Sequence, residues 1–124
     1  MDKFQAIDNF WNGFNLPAYD GQDVPDDAVM PYITYEATTD SIGNPLLQSA
    51  SLWYRSNSWK DISQKAEEIE KRIGEFGFVT IRLDSPRGYL KITKGTPFAQ
   101  RMRDEDEQVK RIYININAEF LTAY

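Results

Sequence analysis

Hydrophobic residues recur along this chain with two spacings, one typical of helices and one typical of strands. From Asp2 to Phe14 the large apolar side chains lie three or four residues apart, and Asp2 with Gln5 has the pattern of a capping box. The segment Ser58–Ile73 repeats this spacing, with Ser58 placed to cap its start. The pattern therefore predicts two helices, each with one apolar face. The residues of these faces are Phe4, Ile7, Trp11 and Phe14 in the first helix and Ile62, Ala66, Ile69 and Ile73 in the second.

Five other segments are rich in β-branched and aromatic residues, and in the last of them apolar and polar residues alternate. A long strand with one polar face is typical of an antiparallel sheet that helices cover on one side. We therefore expect a single α+β domain over residues 1–124, with a mostly antiparallel or mixed five-stranded sheet and helices packed on one face. Trp53 and Arg55 share a face of one strand and are expected to form a cation–π pair. The predicted strands are Tyr32–Thr39, Gln48–Ser56, Phe78–Leu83, Tyr89–Thr93 and Val109–Leu121.

The connections between these elements differ in length. Ser41–Pro45 is predicted to be a turn, and Asp84–Gly88 a hairpin loop. Two longer segments, Leu16–Met30 and Gly95–Gln108, have the composition of loops. Because long loops in compact domains are usually functional or mobile, these two segments are the first places to look for a site.

Both long loops carry carboxylates. Those of Leu16–Met30 lack the spacing of an EF-hand, which favours a solvated loop over a calcium site. Asp104–Glu107 are four consecutive acids flanked by Arg101 and Arg103. Consecutive side chains point in different directions and do not converge on one substrate atom. A charged loop or a subunit contact is therefore expected, with paired-carboxylate catalysis and weak magnesium or calcium association as alternatives.

The 124-residue chain contains neither cysteine nor histidine. Disulfides, cysteine nucleophiles, a Ser-His-Asp triad and a typical catalytic zinc site are therefore excluded. Catalysis by carboxylates or by lysine remains possible on composition alone. Since the carboxylates do not converge, we expect no enzymatic activity.

The formal net charge of −5 disfavours nonspecific binding to nucleic acid. A local basic patch on the central hairpin remains an alternative, with Arg82, Arg87, Lys91 and Lys94 around Tyr89. No segment approaches the roughly 20 apolar residues that a membrane helix needs, and no signal peptide is recognisable. The sequence therefore predicts a protein that stays in a cytoplasm unless it is packaged.

Several short segments, spread over nearly the whole chain, match one protein family in their order and spacing. They are Phe10–Phe14, Leu16–Tyr19, Val24–Ala28, Pro31–Glu36, Ala50–Arg55 through Trp59, Ser63–Ala66, Gly95–Gln100 and Arg111–Asn115. Read together, these segments resemble the tail terminator, or tail completion, proteins of long-tailed bacteriophages. Proteins of that family are minor structural proteins that cap the tail tube and join it to the head.

This resemblance implies an α+β fold, a hexameric ring, no enzymatic activity and no cofactor. It also implies a virion protein of the head–tail interface, assembled in the cytoplasm of a bacterial host. The expected partners are further copies of the chain, the tail tube protein and the head connector or completion protein. DNA would pass through the ring without being read by sequence.

A ring subunit needs two different surfaces for its neighbours, because head-to-tail contacts are heterologous. The loops Leu16–Met30 and Gly95–Gln108 are expected to supply these surfaces. In the second loop an aromatic residue and a methionine would be the energetic anchors, and the charged residues would set register and salt sensitivity. The candidate contact residues are Phe98, Arg101, Met102, Arg103, Asp104, Glu105, Asp106 and Glu107.

Three other functions remain open at this point. One is a different phage connector or head-completion adaptor, another is a small carboxylate-based hydrolase, and the third is a nucleic-acid binding module. The mass of the protein in solution discriminates among them, because only the assembly functions predict a ring-sized species.

Overall fold

Six strands and two α-helices make up the fold, and the computed structural model describes residues 1–41 and 44–124 of the chain. The elements in chain order are α1 (Lys3–Trp11), a 3₁₀ helix (Asn12–Phe14), β1 (Ala18–Asp20), β2 (Tyr32–Tyr35), β3 (Leu46–Arg55), α2 (Lys60–Gly74), β4 (Val79–Asp84), β5 (Arg87–Met102) and β6 (Val109–Thr122). The predicted α+β class is confirmed. The prediction of five strands is wrong, because the described residues form one mixed sheet of six.

The strand order is β1-β2-β3-β6-β5-β4, so β6 lies in the middle with β3 on one side and β5 on the other. β1 runs parallel to β2, and every other neighbouring pair is antiparallel. The additional strand is β1, which lies inside the segment predicted as the loop Leu16–Met30. A strand of three residues has almost no alternating pattern. Its position depends on tertiary hydrogen bonds, such as that from the Ile33 N–H to the Pro17 carbonyl at 2.9 Å.

The β5 strand is much longer than predicted. It extends from Arg87 to Met102, whereas the sequence indicated a strand over Tyr89–Thr93 and then a loop over Gly95–Gln108. The first half of that loop prediction is wrong, and the connection between β5 and β6 consists of residues 103–108 only. Phe98, Arg101 and Met102 therefore lie on a strand.

A β-bulge explains why this segment looked like a loop. The register between β5 and β6 shifts between Lys94 and Ala99, and the shift takes up Gly95 and Pro97, residues that are uncommon inside regular strands. Glycine is required at position 95, since a Cβ atom there would lie 2.8 Å from the carbonyl oxygen of Asn115. The strand continues beyond the bulge to the end of the sheet.

Two further strand boundaries differ from the predictions. β2 ends at Tyr35, before the predicted end at Thr39. The loop predicted over Asp84–Gly88 shrinks to Ser85 and Pro86, because both strands of the hairpin extend into it. The turn predicted at Ser41–Pro45 includes residues 42 and 43, which lie outside the described residues.

Both helices pack on one face of the sheet and form a single core with it, as predicted. The four predicted apolar residues of α2, from Ile62 to Ile73, are all buried. The helix begins at Lys60 and not at Ser58, although the Ser58 hydroxyl accepts a hydrogen bond from the Lys60 N–H at 3.1 Å. The capping box predicted for the first helix is confirmed. Phe4, which was predicted to lie on the apolar face of this helix, is exposed. The buried face of this helix and its 3₁₀ extension consists of Ala6, Ile7, Phe10, Trp11 and Phe14.

The sheet curls into a half-barrel, and α1 lies between its two edge strands, β1 and β4. At the start of the helix, the Met1 ammonium group contacts the Asp84 carboxylate of β4 at 2.7 Å. At its end, the Asn12 side chain accepts a hydrogen bond from the Ala18 N–H of β1 at 3.1 Å. The first helix therefore connects β1 to β4 across the concave side of the sheet.

Candidate functional site

The connection between β5 and β6, residues 103–108, is called the hairpin tip here. Within it the Asp104 carboxylate accepts a hydrogen bond from the Asp106 N–H at 3.0 Å, and the Asp106 carboxylate accepts one from the Gln108 N–H at 2.9 Å. These bonds form two successive local turns. They hold the acidic side chains apart, so the tip presents a charged surface in which its carboxylates do not converge.

Three contacts fix the hairpin tip to the domain. The Ser56 N–H donates to the Gln108 carbonyl at 2.7 Å, and the Arg55 guanidinium contacts the Asp106 carboxylate at 3.2 Å. The Lys110 ammonium group donates to the Glu107 carbonyl. The Gln108 N–H and Arg55 together hold the pKa of Asp106 below its usual value, because both stabilise the carboxylate. The tip is thus exposed and still attached to the connection between β3 and α2.

Trp59 lies beside the tip, immediately before α2, and two cations stack on its ring. The guanidinium carbon of Arg101 is 4.8 Å from the ring centroid, and the Lys110 ammonium nitrogen is 5.7 Å from it. Arg101 also donates to the Ser63 hydroxyl of α2 at 3.4 Å. Arg101 was expected to be available to a neighbouring subunit, but its guanidinium is largely engaged with its own domain. The sequence missed Trp59, whose role depends on contacts across 42 residues of chain.

An open groove of about 390 Å³ lies between the tip and Trp59. Its walls offer two cations, two carboxylates, amides and an indole, a mixture that suits the side chains of another polypeptide. The lining residues are Asn57, Trp59, Met102, Arg103, Asp104, Glu107, Gln108, Val109 and Lys110.

Four of the eight predicted contact residues line this groove, namely Met102, Arg103, Asp104 and Glu107, and Phe98 lies apart from it. Its ring is half-buried and packs against the hydrophobic core. Next to it, the Pro97 carbonyl accepts a hydrogen bond from the Asn115 side chain at 3.0 Å. Phe98 therefore contributes to the bulge and the core, while Met102 faces the groove.

The sheet face opposite the helices carries a second group of aromatic and cationic side chains. Arg111 stacks on Trp53, with 4.7 Å from its guanidinium carbon to the ring centroid, and lies 5.8 Å from the Tyr113 ring. Its Nε donates to the Ser51 hydroxyl at 3.0 Å. The predicted partner of Trp53, Arg55, instead contacts the hairpin tip. Trp53 and Arg111 are direct neighbours across β3 and β6, and sequence spacing does not report such pairs.

The predicted basic patch is divided between the two faces of the sheet. Arg82 lies opposite Tyr89 on the uncovered face, and the Lys91 ammonium nitrogen lies 5.1 Å from the Phe78 ring centroid. Lys94 lies on the helix face, where its ammonium group contacts the Glu70 carboxylate of α2 at 3.5 Å. On the uncovered face, the patch therefore consists of cations with aromatic neighbours.

Within residues 1–41 and 44–124, no three carboxylates are grouped so that they could hold a metal ion. In the same part of the chain, no helix combines the length and the apolar character that crossing a membrane requires.

Comparison with known proteins adds no relative: no protein-family model and no curated protein matches this chain.

Proposed function

We propose that this protein is a bacteriophage virion subunit that assembles into a ring, ends the tail tube and forms the head–tail joining interface. The observation that carries the proposal is the fixed hairpin tip, which is charged and exposed yet held by Ser56, Arg55 and the Trp59 stack. A surface that is already ordered loses little conformational entropy when a neighbour binds to it. Such a surface suits a subunit that must make the same contact repeatedly around a ring.

The architecture of the sheet supports the same role. Helices cover one face only, and the other carries the stacked side chains of Trp53, Arg111 and Tyr113. Rigid aromatic and arginine side chains are the groups most often found at the energetic centres of protein interfaces. The α+β fold is also the one implied by the resemblance to tail terminator proteins.

The surface of the chain is large enough for two neighbours. A stable contact buries about 800 Å² on each partner, so two contacts would take about 1,600 Å². The isolated chain exposes 7510 Å². About one fifth of its surface would then be buried between subunits, which leaves the remainder for tail and head proteins.

The carboxylates support a structural rather than an enzymatic role. Asp104 and Asp106 each accept a hydrogen bond from the backbone of their own loop through one carboxylate oxygen, which fixes the loop. Asp106 has a lowered pKa and remains ionised, whereas a carboxyl group that donates a proton near neutral pH needs a raised one.

Native mass measurement and electron microscopy of the purified protein test this proposal. We expect a ring-sized species with a central opening, alone or on tail tubes. Arg103→Glu or Glu107→Lys at the hairpin tip should shift the population to smaller species. Lys71→Glu, an exposed change of charge on α2, serves as the matched control and should leave the rings intact. A protein that stays monomeric at all concentrations and in the presence of tail tubes contradicts the proposal.

A further inference from the structure

Charge is distributed unevenly along this chain. Residues 4–54 contain seven aspartate and glutamate side chains and no lysine or arginine. Thirteen of the fourteen lysine and arginine residues come after position 54, where they outnumber the eleven acidic residues. The first part of the chain is therefore strongly acidic, and the second part carries a small excess of positive charge.

The topology places these two parts at opposite edges of the sheet. The acidic part supplies β1 and β2 at one edge, and the β4–β5 hairpin occupies the other. The last residue of β1 and the connection from β1 to β2, together called the acidic loop here (residues 20–31), carry four aspartates. They are Asp20, Asp23, Asp26 and Asp27, and all four are exposed.

The β4–β5 hairpin carries the complementary charge. Arg82 and Arg87 are exposed, and Lys91 lies on the same face. Asp84 is the only carboxylate between residues 79 and 102, and it is already paired with the Met1 ammonium group at 2.7 Å. Arg82 and Arg87 also stabilise this carboxylate, and Lys91 lies opposite Glu119 of β6, so the hairpin surface keeps a reduced excess of positive charge.

Exposed apolar side chains accompany both charged surfaces. Val29 in the acidic loop is 79% exposed. Phe78 and Tyr89 beside the hairpin cations are 46% and 51% exposed. Apolar groups next to complementary charges are the composition expected of an interface, with anchors at the centre and charges that set register at the rim.

A two-fold dimer that buries either surface against its own copy would bring like charges together, which costs free energy. Contact between the acidic loop of one copy and the β4–β5 hairpin of the next pairs opposite charges. Such a contact is heterologous, and repeating it around a closed rotation gives a ring. We infer that the acidic loop of one copy docks on the Arg82–Lys91 hairpin surface of the neighbouring copy. This inference rests on the proposed function and adds a second contact between neighbouring subunits to the one proposed at the hairpin tip.

Charge reversal tests this contact in the full-length protein. One variant reverses the loop (Asp26→Lys with Asp27→Lys), and a second reverses the hairpin (Arg82→Glu with Arg87→Glu). None of these four side chains makes a hydrogen bond or ion pair within the described residues, so folding should be preserved. Circular dichroism and thermal unfolding of each variant check this. Glu67→Lys on α2 with Glu75→Lys immediately after it, both at exposed positions, provides the matched control.

Each reversal alone should weaken assembly at least about tenfold, because it sets like charges against each other. Combining both reversals in one chain should restore the rings, because opposite charges face each other again. Mixing the loop variant with the hairpin variant should also restore them, with the two variants alternating around the ring. Wild-type rings should also lose stability between about 0.1 M and 0.5 M salt.

The outcomes separate this inference from the proposal on which it rests. Rings that persist in both reversal variants, or failure of the combined reversal to restore rings, overturn the inference and leave the ring proposal standing. A wild-type protein that forms no ring, alone or on tail tubes, overturns both.

Discussion

At the scale of single residues, the clearest constraint is a close backbone approach at Gly88. Its φ is +151°, and a Cβ atom there would lie 2.1 Å from the carbonyl oxygen of Leu121 on β6. Gly77 also has a positive φ, +83°, but nothing lies within 4 Å of its Cβ position. Alanine at position 88 would therefore meet both a steric clash and an unfavourable φ, whereas alanine at position 77 would meet only an unfavourable φ.

We predict that Gly88→Ala destabilises the protein by at least about 3 kcal/mol, because β5 must move away from β6. Gly77→Ala should cost only about 1 kcal/mol, the strain of a non-glycine residue at positive φ. Urea unfolding of both variants measures the difference. Equal midpoints would show that the strands separate at Gly88 without significant cost.

Tyr35 gives a prediction about pH. Its buried hydroxyl donates to the Asp8 carboxylate at 2.6 Å, and burial, followed by this carboxylate, raises the pKa of the phenol well above 10. In the unfolded chain Tyr35 loses its proton near pH 10, while in the folded protein it keeps it. Its contribution to stability is therefore complete below pH 10 and is lost as the pH rises from 10 toward the folded pKa.

We expect the wild type to lose about 1.4 kcal/mol more stability per pH unit above pH 10 than Tyr35→Phe does, because only the wild type must keep this phenol protonated. Urea titrations of both proteins at pH 9 and pH 11 provide the comparison, which also removes the contributions of the other tyrosines and lysines. Parallel losses in the two proteins would exclude Tyr35 as the cause.

At the scale of elements, α2 was the most predictable part of the chain. Four apolar residues at helical spacing indicated both the helix and its buried face, because helical periodicity is a local property. Ile69→Ala should cost about 2–5 kcal/mol, since Ile69 is fully buried between α2 and the sheet. Glu67→Ala, two residues away on the exposed face, should change stability by less than about 0.5 kcal/mol. Denaturant midpoints for the pair measure this contrast.

β5 was the least predictable element. Gly95 and Pro97 are loop residues by any local criterion, and they remain within the strand only because β6 provides hydrogen-bonding partners on both sides of the bulge. The short strand β1 was not predicted for a related reason, because its own three residues do not indicate that they pair with β2. Sequence patterns predicted the helices and the strands that have a clear local pattern of apolar residues, and they missed the strand segments that only distant partners indicate.

The position of Phe98 changes what its substitution should do. If Phe98 were only an anchor for a neighbouring subunit, as expected from the sequence, Phe98→Ala would block ring formation and leave the monomer folded. Because the phenyl side chain of Phe98 packs against the hydrophobic core, we expect Phe98→Ala also to lower the free energy of unfolding by about 1–3 kcal/mol. Arg103→Glu at the hairpin tip should disrupt the ring without this loss. Thermal unfolding and native mass measured on both variants distinguish the two effects, and a Phe98→Ala protein of wild-type stability would contradict the assigned packing.

At the scale of the whole molecule, the candidate site was found only in part. The charged run Asp104–Glu107 indicated an exposed loop at the position of the hairpin tip, because consecutive charged residues can be recognised in the sequence alone. Trp59 and the Trp53–Arg111 stack were missed, since each depends on residues that are distant in sequence and adjacent in the sheet. The sequence therefore identified the charged surface and not the aromatic residues that support it.

The central position of β6 predicts where the molecule is most stable. β6 is hydrogen-bonded on both sides, and Ile114, Ile116 and Phe120 are buried on its helix face. We expect backbone amides of β6 to exchange with deuterium most slowly and those of β1 most rapidly, because edge strands open at lower free energy. Hydrogen-exchange mass spectrometry measures this order, and rapid exchange in β6 would contradict the assigned topology.

The order of the strands also has a consequence for synthesis on the ribosome. β6 is the last strand in chain order, yet β3 and β5 both require it as a neighbour. Until Val109–Thr122 has been translated, the β2–β3 pair and the β4–β5 hairpin each present an unpaired edge and cannot join into one sheet. In the proposed ring, a nascent chain that stops short of β6 would therefore lack the folded surfaces on which neighbours dock, so the order of synthesis itself would keep incomplete subunits out of the assembly.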